Sequence, residues 1–224
     1  ALSKKYNLVV VEDACQAILG SIENKKAGQW GHAGAFSLHP LKNLNVWSDG
    51  GVIVTNDEKK YRSLILLRNH GLENRDNVSI MGYNSRLDTF QAVVGNWLIP
   101  KTNEIAETRI KNAGKLDKGL STIKEIKIPQ RTNGFKIVYH LYMVFAEDRD
   151  NLLDFCINRG IEAKIHYPIP IYRQLALKYL NYKKGDFPVT DSQAKNIISF
   201  PCDQHLSNEE INYIISTVYE FYNK

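Results

Sequence analysis

Four polar side chains near the start of the chain could do chemistry together: Asp13, Gln16, Ser37 and Lys42. A lysine amine can form a Schiff base with an aldehyde. A carboxylate such as Asp13 can sit against a ring nitrogen and keep it protonated, so that the ring draws electrons from a neighbouring carbon. A hydroxyl such as Ser37, set at a strand end, can bind a phosphate together with backbone amides. Amine, carboxylate and hydroxyl are three of the groups that a pyridoxal phosphate site requires. Each residue also has an ordinary role. An Asp after a strand commonly caps a turn, a Ser can be a satisfied core hydroxyl, and a lone Lys is usually solvated. Spacing alone does not choose between the two.

The pattern of the chain supplies elements to position them. Residues 1–6 read as the end of a helix, and 7–12 as a buried strand whose C-terminal end delivers Glu12 and Asp13. Ala33 to Leu38 is a second strand, Gly50-Gly51 a turn, and Val52 to Thr55 a third strand. Asn56-Asp57 can cap a helix running to about Asn69. Residues 70–85 are rich in Gly, Asn and charge and read as a loop. A helical pattern resumes at Asp88, is interrupted at Pro100 and continues to about Leu120. Trp47 reads as a core or interface aromatic.

Beyond Pro129 the character changes. Val138 to Phe145 is predicted as a strand, 148–159 as a helix ended by Gly160, and Ile161 to His166 as another strand. Tyr167 to Pro170 is a rigid extended run. Two or three helices finish the chain, the last from about Ser207 to Tyr222. The expected organisation is an α/β lobe over residues 1–100, then a linking helix and a small α+β lobe over 101–224.

Composition narrows the function. The formal charge is +5 over 224 residues, but the densest basic runs are only pairs, such as Lys25-Lys26 and Lys183-Lys184. Clustering rather than total charge marks nucleic-acid binding, so that class is not expected. No apolar run approaches the ~20 residues that span a bilayer, and nothing resembles a signal peptide. The three cysteines are scattered, with no CxxC pair, which argues against a metal knuckle or a disulfide framework and favours a reducing, cytoplasmic setting.

Longer motifs carry a resemblance. Glu12-Asp13-Ala14-Cys15-Gln16-Ala17, the run Gly31 to Leu44 (GHAGAFSLHPLKNL), Asp49-Gly50-Gly51 and Val54-Thr55-Asn56-Asp57 stand in order. Arg68-Asn69-His70-Gly71, Gly82-Tyr83-Asn84-Ser85-Arg86-Leu87, Gln91-Ala92 and His166-Tyr167-Pro168 follow. Together they resemble the DegT/DnrJ/EryC1/StrS family of sugar aminotransferases, over nearly the whole chain.

The resemblance implies an aspartate-aminotransferase-like fold (pyridoxal-phosphate transferase type I). Its large α/β domain would be partial here and followed by a small α+β C-terminal domain. It implies a homodimer with shared sites that moves an amino group from an amino acid, glutamate for preference, to a nucleotide-linked keto-deoxy sugar. Lys42 would hold pyridoxal 5'-phosphate and, once released by substrate, carry the proton. Asp13 would pair with the ring nitrogen, Gln16 would contact the phenolic oxygen side, and Ser37 would bind the phosphate. Asn84 would reach the neighbouring subunit's phosphate, with Arg86 beside it. His39, Arg86, His166 and Tyr167 would face the substrate.

Family members also have a further N-terminal portion, so the chain is expected to be about the C-terminal three-fifths of one. Ile171-Tyr172 stands where the family commonly has Leu-His. Two other activities stay open: a sugar dehydratase of the same family, in which a histidine replaces the Schiff-base lysine, and a catalytically inactive, cofactor-binding regulator.

Overall fold

A computed structural model describes residues 2–223. It opens with helix α1 (Leu2–Tyr6) and strand β1 (Val11–Asp13), followed by the short strands β2 (Ser21–Ile22) and β3 (Lys25–Lys26). Strands β4 (Ala33–Ser37) and β5 (Gly51–Val54) precede helices α2 (Glu58–Leu67), α3 (Thr89–Leu98) and α4 (Thr102–Leu120). Strands β6 (Ile126–Lys127), β7 (Phe135–Lys136) and β8 (Tyr142–Ala146) lead to helix α5 (Arg149–Ile157). Helix α6 (Pro188–Asn196), strand β9 (Ile197–Phe200) and helix α7 (Asn208–Tyr222) complete the chain. These elements form two compact units, Ala1–Glu107 with Thr132–His140, and Thr108–Arg131 with Leu141–Lys224. No helix among the described residues is long and apolar enough to cross a membrane.

In the first unit the sheet order is β1-β4-β5. β1 runs parallel to β4, and β5 returns antiparallel to it after the loop that carries Lys42. Helix starts follow local signals. Asp57 caps α2 by accepting the Lys60 amide at 3.1 Å, and Asp88 forms a capping box with Gln91 at the start of α3. Pro100 falls in a 3-10 turn (Ile99–Lys101) between α3 and α4, as a residue without an amide proton should.

The apolar run before Asp13 departs from expectation. Only Val11–Asp13 forms strand, and Leu8, Val9 and Val11 are 53%, 72% and 66% exposed rather than buried. β1 lies at the edge of a three-stranded sheet, and no described element covers that face. Trp47 is 72% exposed with a positive φ of 66°, so it is not a core residue.

In the second unit the antiparallel order is β6-β8-β9. Buried residues of α4 (Ala113, Leu116, Leu120), β8 (Val144, Ala146), α5 (Leu152, Cys156) and α7 (Ile211, Ile214, Val218) make its core. Ser207 opens α7 through a capping box with Glu210.

Two expectations fail here, and one strand is unforeseen. Residues 138–141 are not strand, and Thr132–His140 belongs to the first unit, where β7 pairs with β2. Ile161–His166 contributes only an isolated bridge, Lys164 to Ser199, because the Ile161 and Ala163 amides bond locally to Cys156 and Ile161 carbonyls. Ile197–Phe200, not expected as an element of its own, is a strand with all four residues buried. A four-residue run buried at every position has no alternation to mark it as strand.

Candidate active site

Parallel pairing brings the expected residues to one end of the first sheet. Asp13, the last residue of β1, lies opposite Ala35, two residues before the end of β4 at Ser37. The Ala14 amide donates to the Ala35 carbonyl at 2.9 Å and fixes the pairing at its C-terminal end. Glu12 organises the opposite face. Its carboxylate accepts the amides of Gly28, Trp30 and Gly31 at 2.8, 2.5 and 2.6 Å, tying the loop before β4 to β1.

From Ser37 the chain turns tightly. Ser37 Oγ accepts the His39 amide at 3.3 Å, His39 Nδ1 accepts the Leu41 amide at 3.2 Å, and the His39 carbonyl accepts the Lys42 amide at 2.9 Å. Beneath this turn, Leu38, Leu44 and Val46 pack into a core with Ile18, Leu87 and Leu98. The Val46 amide donates to the Leu38 carbonyl at 3.0 Å and closes the loop. Buried side chains on both sides of Lys42 therefore hold its backbone, and its half-buried side chain projects from a fixed base.

Electrostatics agree with the geometry. Hydrogen bonds from the Cys15 thiol and amide, with the positive charge of Lys42 behind them, hold the Asp13 carboxyl below the usual carboxylate range. The same contact with Asp13, aided by desolvation, pushes the Cys15 thiol up. Asp13 is thus an anion at neutral pH within electrostatic reach of the lysine amine. That donor set fits pyridoxal phosphate: an amine for its aldehyde, a carboxylate for its ring nitrogen and a hydroxyl for its phosphate. Ser37 Oγ already accepts from an amide, which leaves its O–H free to donate outward.

Gln16 is exposed in the turn after β1. Asn84 and Arg86 stand on an arm folded against the end of α2. There Asn84 bridges Asn69, and Arg86 donates to Asn69 Oδ1 at 3.2 Å. His166 and Tyr167 belong to the second unit. His166 Nδ1 lies 3.2 Å from Ser199 Oγ, and burial followed by the Lys164 charge pushes its imidazole below the ordinary value. Tyr167 is exposed and meets His166 edge-on. Both border an open cavity of about 400 Å³ that Ile169, Pro170, Gln193 and Ile197 also line.

Sequence reasoning missed two residues that touch the Lys42 region. His140 Nε2 lies 3.3 Å from Lys42 Nζ, and the buried Asn43 Nδ2 donates to the Val138 carbonyl at 2.8 Å. Asn43 could have been suspected as the neighbour of the lysine. His140, 98 positions away, left no signal in the sequence pattern.

Comparison with known proteins gives one consistent result. The model of the DegT/DnrJ/EryC1/StrS aminotransferase family matches residues 1–219. A pleiotropic regulatory protein of Geobacillus stearothermophilus is 34% identical, over 99% of this chain and 60% of its own length. A UDP-N-acetyl-3-dehydro-alpha-D-glucosamine 3-aminotransferase of Acidithiobacillus ferrooxidans is 33% identical, over 97% and 58%. The X-ray structure of S. venezuelae DesV superposes with a TM-score of 0.95 at 31% identity, over 100% of this chain and 60% of that one. The chain spans about 60% of the length of the relatives it matches. Its mixed α/β architecture is that of these sugar aminotransferases, as the aspartate-aminotransferase-like expectation required.

Proposed function

This chain belongs to the DegT/DnrJ/EryC1/StrS aminotransferase family, and from that membership we propose that it carries the lysine-bearing part of a pyridoxal-phosphate sugar aminotransferase. The reaction moves an amino group from an amino acid, glutamate for preference, to a keto group on a nucleotide-linked deoxy sugar. The observation that carries the reading is the Asp13 carboxylate at the end of β1, paired in parallel with β4 and within electrostatic reach of the Lys42 amine. Relatives named as nucleotide-sugar aminotransferases support the substrate class.

When bound, pyridoxal phosphate supplies an aldehyde that captures amino groups and a ring that takes up an electron pair. The protein's own groups do the rest. Lys42 Nζ would hold the cofactor through its aldehyde carbon and, once freed by the donor amine, would accept the proton that leaves the donor's α-carbon. Asp13 would pair with the ring nitrogen and keep it protonated, and Gln16 would meet the phenolic oxygen side. Ser37, whose Oγ accepts the His39 amide, would donate its hydroxyl to the phosphate. His39 faces the substrate from the lysine turn. Asn84 and Arg86 serve the site of a second copy in a homodimer, and His166 and Tyr167 meet the sugar nucleotide. The family resemblance of their motifs supports these outer roles.

A regulatory reading has its own support, the 34% identity to a pleiotropic regulatory protein. One experiment separates the two. The product of the intact gene is mixed with pyridoxal phosphate, and its visible absorbance is followed as glutamate is added. We expect a visible band that Lys42→Ala abolishes and that glutamate bleaches. A band surviving in Lys42→Ala overturns the site. A Lys42-dependent band that no amino acid bleaches favours the regulator.

A further inference from the structure

Lys42 does not project alone. Its Nζ lies 3.3 Å from His140 Nε2, and the next residue, Asn43, binds the same distant segment through the Val138 carbonyl. That segment, Thr132–His140, returns from far along the chain into the first unit. Several contacts fix its path. β7 pairs with β2, the Glu23 amide donates to the Gly134 carbonyl at 2.8 Å, and Lys136 Nζ meets Glu107 at 2.5 Å. Val138 is 3% exposed. His140 is therefore delivered to the lysine by a built element rather than by a wandering loop.

We propose that His140 is a positioning residue for the Lys42 amine, its Nε2 serving as the acceptor that aims Nζ at the strand-end site. The chemistry of the pair supports this role. A lysine ammonium has three donors and no acceptor, so a charged Lys42 requires an imidazole nitrogen presenting its lone pair. A four-carbon stem with free rotors otherwise leaves an amine scattered over many positions. Asp13 attracts the amine from the β1 side by charge alone, which has little directional preference. The imidazole adds the direction. With both, the nitrogen is held at a single point. Once it has lost a proton to solvent, the neutral amine is preorganised to attack the aldehyde carbon, whose oxygen leaves as water. Such placement is worth large factors in rate.

The inference rests on the reading of Lys42 as the cofactor-holding amine, and the test keeps the two apart. In the product of the intact gene, His140→Phe fills the ring volume without an acceptor, whereas His140→Gln keeps a polar atom at similar reach. The apoprotein is mixed with pyridoxal phosphate. The rate of appearance of the visible band, its circular dichroism and the melting temperature are then recorded for each variant.

We expect His140→Phe to form the band at least ~10-fold more slowly and with weakened dichroism. Its melting temperature should stay within a few degrees of wild type, and His140→Gln should recover most of the rate. A His140→Phe protein with wild-type rate and dichroism overturns the proposal. So does a loss that simply follows the melting temperature and is not rescued in His140→Gln. Wild-type protein showing no Lys42-dependent band removes the cofactor reading itself, and this inference with it.

Discussion

Asp13 lies directly opposite Ala35 in the parallel ladder of β1 and β4. Main-chain bonds place it, since the Ala14 amide closes the ladder on the Ala35 carbonyl. The charge of Asp13 can therefore be altered without moving the residue.

Asp13→Asn tests that charge. Asparagine keeps an oxygen for the Cys15 amide, which now donates to Oδ1 at 3.1 Å, so the melting temperature should hold. Cofactor retention and kcat/KM should fall, the latter by ~10²–10³-fold, the scale of losing one preorganised electrostatic group. The folded carboxyl titrates below its ordinary value, so its charge is present above that value and lost only as pH falls through it. Wild-type cofactor retention should accordingly show no step from Asp13 between about pH 5 and 8. Near-wild-type kcat/KM in the variant would remove Asp13 from the site.

The Cys15 thiol reports the same contact. Asp13 pushes it up, while burial pushes Cys156 to about 11 and Cys202 to about 12. Thiolate is the reactive form, so all three should label slowly with a maleimide at neutral pH. Cys15 alone should label faster in Asp13→Asn, as peptide mapping would show. An unchanged or slower rate contradicts the contact.

Glu12 holds the loop before β4 through three amides. Desolvation raises its carboxyl, but the bonds from Gly31, Gly28 and Trp30 and the charge of Lys25 outweigh it and leave the group below its ordinary value. Glu12→Gln should destabilise the folded protein by about 1–2 kcal/mol, discounted for its partial exposure. The stabilisation exists above the unfolded carboxylate value near ~4.3 and disappears as pH falls through the lower folded value. The difference between variant and wild type, followed by urea unfolding, should shrink in acid. A gap that widens there contradicts the assignment.

Two glycines make opposite demands. A Cβ on Gly34 would lie 2.5 Å from the Gly28 Cα, a backbone atom that cannot swing away, whereas one on Gly114 meets nothing within 4 Å. Gly34→Ala should cost about 1–3 kcal/mol or more and displace the Glu12-bound loop. Gly114→Ala, at an exposed position of α4, should stabilise by about 0.5–1 kcal/mol. Thermal melts of both variants check the pair. Equal effects would mean that the close approach of β4 to Gly28 is relaxed in solution.

Legibility in the sequence followed the range of the interactions. Asp57, Asp88 and Ser207 announced their helices because a cap and its partner amide lie within three residues. Asp13 and Ser37 could be assigned to strand ends from the polar residues that close each apolar run. What failed depended on distant pairing. The edge position of β1 left Val9 and Val11 exposed, and the buried Ile197–Phe200 strand had no alternation to betray it. The place of His140 beside Lys42 depends on a path that no local pattern records.

The excursion of Thr132–His140 into the first unit has a consequence for recombination. A chain that crosses from one unit to another once can be exchanged at one junction, like a bead on a string. This chain crosses three times, near residues 107, 131 and 140. A graft that replaces everything after α4 takes with it the β2 partner strand, the acceptor of Asn43 and the histidine beside Lys42. New second units can be installed only by chimaeras that keep residues 132–140 native, and single-junction libraries should yield mostly misfolded or silent proteins.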